Sequence, residues 1–115
     1  MRQDSDCIFC KIIAGEIPSK LFYQDDDVIA FHDIRPAAPV HFLIVPREHI
    51  PMLQDCTEQH QALLGKMLAL APKLAAELGL TNGFRVVINN GQDGGQEVYH
   101  LHVHVMGGPR PWTIG

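Results

Sequence analysis

Three histidines at alternate positions, His100, His102 and His104, are the residues of this chain best placed to do chemistry; they account for three of its seven histidines within five residues. In an extended strand alternate side chains share a face, and neighbours on that face stand about 6–7 Å apart. A strand over residues 98–106 would therefore set Val98, His100, His102, His104 and Met106 on one face, and Tyr99, Leu101, Val103 and Val105 on the other. Three uses fit such a row of imidazoles. They could be solvated residues on an open sheet face, converge on one zinc ion, or supply a nucleophile with acid–base helpers for a phosphoryl or acyl substrate. The preceding segment, Asn89-Asn90-Gly91-Gln92-Asp93-Gly94-Gly95-Gln96, is a glycine-rich turn whose backbone N–H groups can face an anion without side-chain obstruction. Alone it marks a hairpin. Beside three imidazoles it favours the nucleophile.

The elements that must position these groups are read from period and punctuation. Residues 8–14 form a short helical candidate closed by Gly15 and Pro18. Residues 21–24 and 28–32 read as two strands about the Asp25-Asp26-Asp27 turn, and residues 40–45 as a third strand stopped by Pro46. Leu63, Met67, Leu70, Leu74 and Leu78 recur at helical spacing, with Thr57 and Glu58 as the start and Gly79 as the stop. Pro72 lies inside that pattern and predicts a kink or a split, because it donates no N–H and crowds the preceding turn. Residues 84–89 and 98–106 supply the fourth and fifth strands. The sum is an α+β fold: a five-stranded, mostly antiparallel sheet with one long helix and a short N-terminal helix. One long helix leaves apolar surface for a partner subunit.

With 115 residues and 12.8 kDa the chain reads as one domain over residues 1–115, with an irregular Pro-rich tail at 109–115. Its formal charge of −4 and pI near 5.9 argue against a nucleic-acid or anionic-membrane role. The polar start at residues 1–7 and the lack of a long apolar run predict neither a signal peptide nor a transmembrane helix. Three cysteines, an odd number, argue against a disulfide framework and fit a reducing cytoplasm.

His100-Leu101-His102-Val103-His104-Val105 resembles the signature of the histidine triad superfamily, and Gly94-Gly95-Gln96 with Gly107-Gly108 resembles its nucleotide-binding (Hint) branch. Phe9-x-Lys11-Ile12-Ile13, Glu16-Ile17-Pro18, Phe31-His32-Asp33-Ile34, Ala38-Pro39-Val40-His41-Phe42 and Pro46-x-x-His49-Ile50 extend the likeness over nearly the whole chain. The resemblance implies a homodimeric hydrolase that releases a purine nucleoside monophosphate (AMP or GMP) from an amine through a nucleotidyl-histidine intermediate. It requires no cofactor for catalysis. Dinucleoside polyphosphate hydrolysis, and a nucleotide-binding adaptor with incidental catalysis, are the alternatives it leaves.

Carried over by position, the resemblance makes His102 the nucleophile, with His104 at the phosphoryl oxygens, His41 completing a proton relay and His100 in the same catalytic set. Asn89 and the Gly95, Gln96, Glu97 and Val98 segment would hold the phosphate. Asp33 would take the ribose hydroxyls, and Ile8, Phe9, Phe31, His32, Ile34 and Leu43 the base; apart from the resemblance such apolar residues read as ordinary core, most strongly Leu43 and Ile12. Glu97 stands where many eukaryotic members have serine, and a carboxylate facing phosphate would repel it, so its side chain is expected to turn away. Trp112 would reach the partner's site. Cys7-x-x-Cys10 is half a zinc site by spacing, and relatives with this pair complete it with the counterparts of His49 and His100, giving a structural zinc site here. Cys56 reads as a small apolar residue and His60 as a solvated one.

Overall fold

The computed structural model describes residues 6–112; residues 113–115 of the expected tail and residues 1–5 of the polar start lie outside the described residues. The chain order is α1 (Ile8–Ile13), β1 (Leu21–Gln24), β2 (Val28–His32), β3 (Val40–Pro46), two 3-10 turns (Leu53–Asp55 and Glu58–His60), α2 (Gln61–Glu77), β4 (Arg85–Val87) and β5 (Val103–Gly107). The strands form one open sheet in the order β1-β2-β3-β5-β4, and every neighbouring pair is antiparallel.

The central strands are apolar on both faces because both faces are covered. Val28, Ala30, Phe42, Ile44, Val103 and Val105 meet Met67, Leu70, Ala71, Leu74 and Ala75 of α2 in the main core. The alternate residues Ile29, Phe31, Leu43 and Val45 point the other way and pack with Cys7, Phe9 and Cys10 of the α1 region. At about 25 cal/mol per Å² of apolar surface, each buried side chain of this size contributes roughly 1.5–3 kcal/mol. Thr57, which accepts from the N–H of Gln59 and donates its own N–H to His60 Nδ1, starts the 3-10 turn that leads into α2, not α2 itself, which begins at Gln61. Pro72 does not split it. α2 runs unbroken from Gln61 to Glu77, with Pro72 on the solvent side between exposed Leu68 and Lys73.

The fifth strand is shorter than its alternating pattern predicts, for a reason visible in its partner. β3 and β5 pair Ile44 with Val103, so the next hydrogen-bonded rung would need Pro46 opposite Leu101. Pro46 has no N–H to give, and its carbonyl is taken by His100 Nε2 at 2.8 Å. Leu101 bonds Ile50 O instead, at 2.6 Å. Residues 98–102 are consequently a bend feeding β5, not part of it. The three histidines do not share one strand face, and Tyr99 is exposed while Leu101, Val103 and Val105 enter the core. β4 likewise contracts to Arg85–Val87 from the expected 84–89.

Candidate active site

His41 and Leu43 of β3, His104 and Met106 of β5, and the bend at His102 all border a cleft of about 540 Å³ on the α1 side of the sheet. Four hydrogen bonds fix the protons of His41, His102 and His104 in the cleft and of His100 behind it. His102 Nδ1 lies 2.6 Å from the carbonyl oxygen of His100, which only accepts, so Nδ1 carries the proton and Nε2 keeps its lone pair. The N–H of Ala37 donates to His41 Nδ1 at 2.9 Å, so the proton of neutral His41 is on Nε2. That Nε2–H donates to His104 Nδ1 at 2.9 Å, which places the proton of His104 on its own Nε2. His100 Nε2–H donates to Pro46 O, leaving Nδ1 as its free lone pair.

Burial is the main reason these rings stay neutral at pH 7. It depresses His41 and His102 below the ordinary 6.5. Burial, followed by the neighbouring His102 and His41, pulls His104 down to about 4. The rings of His102 and His104 stand 4.8 Å apart edge to face, and Phe9 of α1 packs its ring 5.1 Å from His102. The site thus joins a free imidazole lone pair to a second imidazole carrying a transferable proton.

The expected ligand residues divide sharply. Ile8, Phe9, Ile12, Phe31, His32 and Ile34 line the cleft, as do Asp33, Asn89, Gly95, Glu97 and Val98. Ile34 is 87% exposed, a wall open to solvent, whereas His32 stacks at 4.8 Å on Phe22. Asp33 accepts from the N–H of Arg35 and holds its other oxygen 3.5 Å from His41 Nε2. Asp33, His41 and His104 lie close enough to share an ion, but His41 Nε2 carries the proton that Ala37 imposes, so this set does not suit a cation. Gln96 does not line the cleft; its side chain turns inward. Trp112 sits beside a separate hollow of about 730 Å³ with Arg85 and Gly108, where no imidazole converges, and donates to Gly108 O at 3.2 Å.

Within the turn, the N–H groups of Gly95 and Gln96 close on Gln92 O and Gly91 O. Those of Glu97 and Val98 take no part in these turn bonds, so of the four expected phosphate contacts in this segment two have N–H groups already used within the turn. Ala37 and Pro46 also escaped sequence reasoning. Both act through backbone atoms, which any residue type offers, so composition carries no signal of their roles.

His100 belongs to a different cluster. Its Nδ1 stands 3.2 Å from Cys7 Sγ, 3.5 Å from Cys10 Sγ and 3.2 Å from His49 Nδ1, and Cys10 Sγ is 3.4 Å from His49 Nδ1. Donors on a tetrahedral zinc, with bonds of about 2.3 Å to sulfur and 2.0–2.1 Å to nitrogen, would stand roughly 3.3–3.8 Å apart. The set therefore fits a Cys2His2 metal centre, and Pro46 supplies the outer hydrogen bond that frees His100 Nδ1. His100 reaches the cleft only through its carbonyl.

A HIT-domain sequence profile matches residues 14–110. The chain belongs to the HIT family. Purine nucleoside phosphoramidase of Escherichia coli (strain K12) is 48% identical over 104 residues, 90% of this chain and 87% of that protein. The crystal structure of a histidine triad protein from Clostridium difficile superposes with a TM-score of 0.91 at 44% identity, covering 98% of this chain and 99% of that one. A zinc-bound histidine triad family protein from Mycobacterium smegmatis superposes with a TM-score of 0.76 at 33% identity, over 87% of this chain and 73% of that one. Family membership and the open antiparallel sheet with one long helix agree with the reading of the sequence.

Proposed function

We propose that this HIT protein is a hydrolase of purine nucleoside phosphoramidates, releasing a nucleoside 5'-monophosphate and a free amine. One observation carries the reading: His102 Nδ1–H is anchored on the His100 carbonyl, which leaves an unprotonated Nε2 on a residue of a cleft that Glu97 and Val98 also line. Neutral imidazole is a good nucleophile near pH 7 and a fair leaving group once protonated. His102 Nε2 attacks phosphorus, the phosphorus–amine bond breaks, and the amine leaves with a proton delivered from His104, whose Nδ1 is held by His41. Water then attacks phosphorus, passing a proton back to His104 Nε2, the bond to His102 breaks, and the monophosphate departs. The N–H groups of Glu97 and Val98 would meet the charge on the phosphoryl oxygens, as preorganised stabilisation requires. The phosphoramidase among its relatives supports this substrate class.

Cys7, Cys10, His49 and His100 would hold a structural zinc that, when bound, cross-links α1 to the end of β3 and to the bend before His102. The zinc-bound relative supports that metal; elemental analysis of protein purified without chelator should return one zinc per chain. β4 ends the sheet with Phe84 and Val86 exposed, which supports a homodimer built across that edge, to be checked by light scattering at micromolar concentration. The buried Cys7 and Cys10 thiols, which no disulfide joins, go with a reducing, cytoplasmic setting.

The decisive assay follows release of amine from a fluorogenic adenosine phosphoramidate by the wild type and by His102→Ala. Turnover by the wild type alone is expected. Equal turnover by both removes His102 as the nucleophile. No turnover by either, with AMP still bound, turns the reading to a nucleotide-binding module.

A further inference from the structure

Gln96 is 7% exposed and sits between two residues that line the cleft, Gly95 and Glu97, yet its own side chain leaves the cleft and runs behind it. Its carboxamide makes three hydrogen bonds. Oε1 accepts from the N–H of Gly91 at 2.8 Å, at the base of the glycine-rich turn. Nε2 donates to the carbonyl of Val98 at 3.0 Å, on the far side of that turn, and to the carbonyl of Pro51 at 2.7 Å, in the segment behind it. One planar amide thus closes the turn across its width and fastens it to the body of the protein. The N–H groups left out of the turn's own hydrogen bonds, those of Glu97 and Val98, lie between its attachment points.

We propose that Gln96 is the positioning residue of the phosphate cradle: it acts from behind, holding the Glu97–Val98 peptide N–H groups toward the cleft without touching ligand. The proposal rests on the nucleotide reading of the cleft. It also explains why this position needs a side chain with both a donor and an acceptor. A carboxylate of equal length would face two carbonyls with no hydrogen to offer, and a thioether would leave the Gly91 N–H and both carbonyls unpaired inside the protein.

The test compares binding of AMP and of adenosine, by calorimetry, to the wild type, Gln96→Glu and Gln96→Met. The two ligands share base and ribose and differ in the phosphate. The AMP dissociation constant is expected to rise about tenfold or more in both variants, the equivalent of one strong hydrogen bond, while that of adenosine changes less than about twofold. Unchanged AMP binding in a folded variant overturns the proposal, and so does an equal loss for both ligands, which would mark a general structural role. A wild type that fails to bind AMP overturns the nucleotide reading instead. Amide hydrogen exchange on the ligand-free wild type judges the proposal even then, and even if neither variant folds. The Gly91 N–H should exchange slowly for a surface turn, and rapid exchange contradicts the clamp.

Discussion

Replacing His104 by asparagine should make the protein less sensitive to acid, although it removes a buried-site contact. The ring of His104 accepts from His41 Nε2–H and is held down to about 4, chiefly by burial and then by the facing His102 and His41. A base whose folded pKa lies below its unfolded value binds its proton more readily when the chain unfolds. The contribution to stability is therefore full above pH 6.5 and falls as the pH drops through the window to 4. The full difference from 6.5 to about 4 corresponds to about 3 kcal/mol. His104 is only partly buried and opens on the cleft, and solvent screening reduces this to about 1.5 kcal/mol. Asparagine places an acceptor near Nδ1 and does not titrate. Urea denaturation at pH 7 and at pH 4 should show the wild type losing about 1.5 kcal/mol more than His104→Asn over that interval. His100, also held down to about 4 by burial, is present in both proteins and cancels in the difference. Equal losses, or a larger loss in the variant, would refute both the buried neutral ring and the tautomer assigned to it.

Two further substitutions separate the cradle from the core. A Cβ at Gly94 would collide with the backbone oxygen of Asn90 and come 2.7 Å from its nitrogen, so Gly94→Ala should distort the turn, weaken AMP binding in calorimetry by about tenfold or more, and leave the core packing intact. Leu74, fully buried under the sheet in α2, lies away from the cleft. Leu74→Ala should cost roughly 3 kcal/mol in urea denaturation while the folded fraction keeps its turnover number; a loss of turnover per folded molecule would show that the two regions are coupled.

The elements with clean periods were legible. β1 and β2 stand where alternation and the acidic turn put them, and α2 follows its Leu and Met spacing to Glu77, just short of Gly79. Alternation misled at residues 98–102, because an extended segment can alternate without belonging to a ladder, and the proline that ends the ladder sits in the neighbouring strand. Pro72 left a kink or a split open, and the split does not occur: on the solvent face a missing N–H is tolerated without dividing the helix. The cleft residues were named through motif likeness, since Phe31 or Leu43 read by composition alone is ordinary core. Gln96 shows the limit of that method. A motif says that a position matters, and here only the hydrogen bonds tell a ligand contact from a brace. The Cys7-x-x-Cys10 pair was visible as a spacing, but its convergence with His49 and His100 depends on contacts spanning 39 and 90 residues of sequence.

The account stands on the free Nε2 of His102. Wild-type protein mixed with an adenosine phosphoramidate and quenched within milliseconds in alkaline denaturant, which spares the acid-labile phosphorus–imidazole bond, should carry one nucleotidyl group. Peptide mass spectrometry should place it on His102, and His102→Ala should carry none. A nucleotidyl group on His104 or His41, or turnover of the substrate with no adduct at any quench time while the adduct is chemically stable, would contradict it.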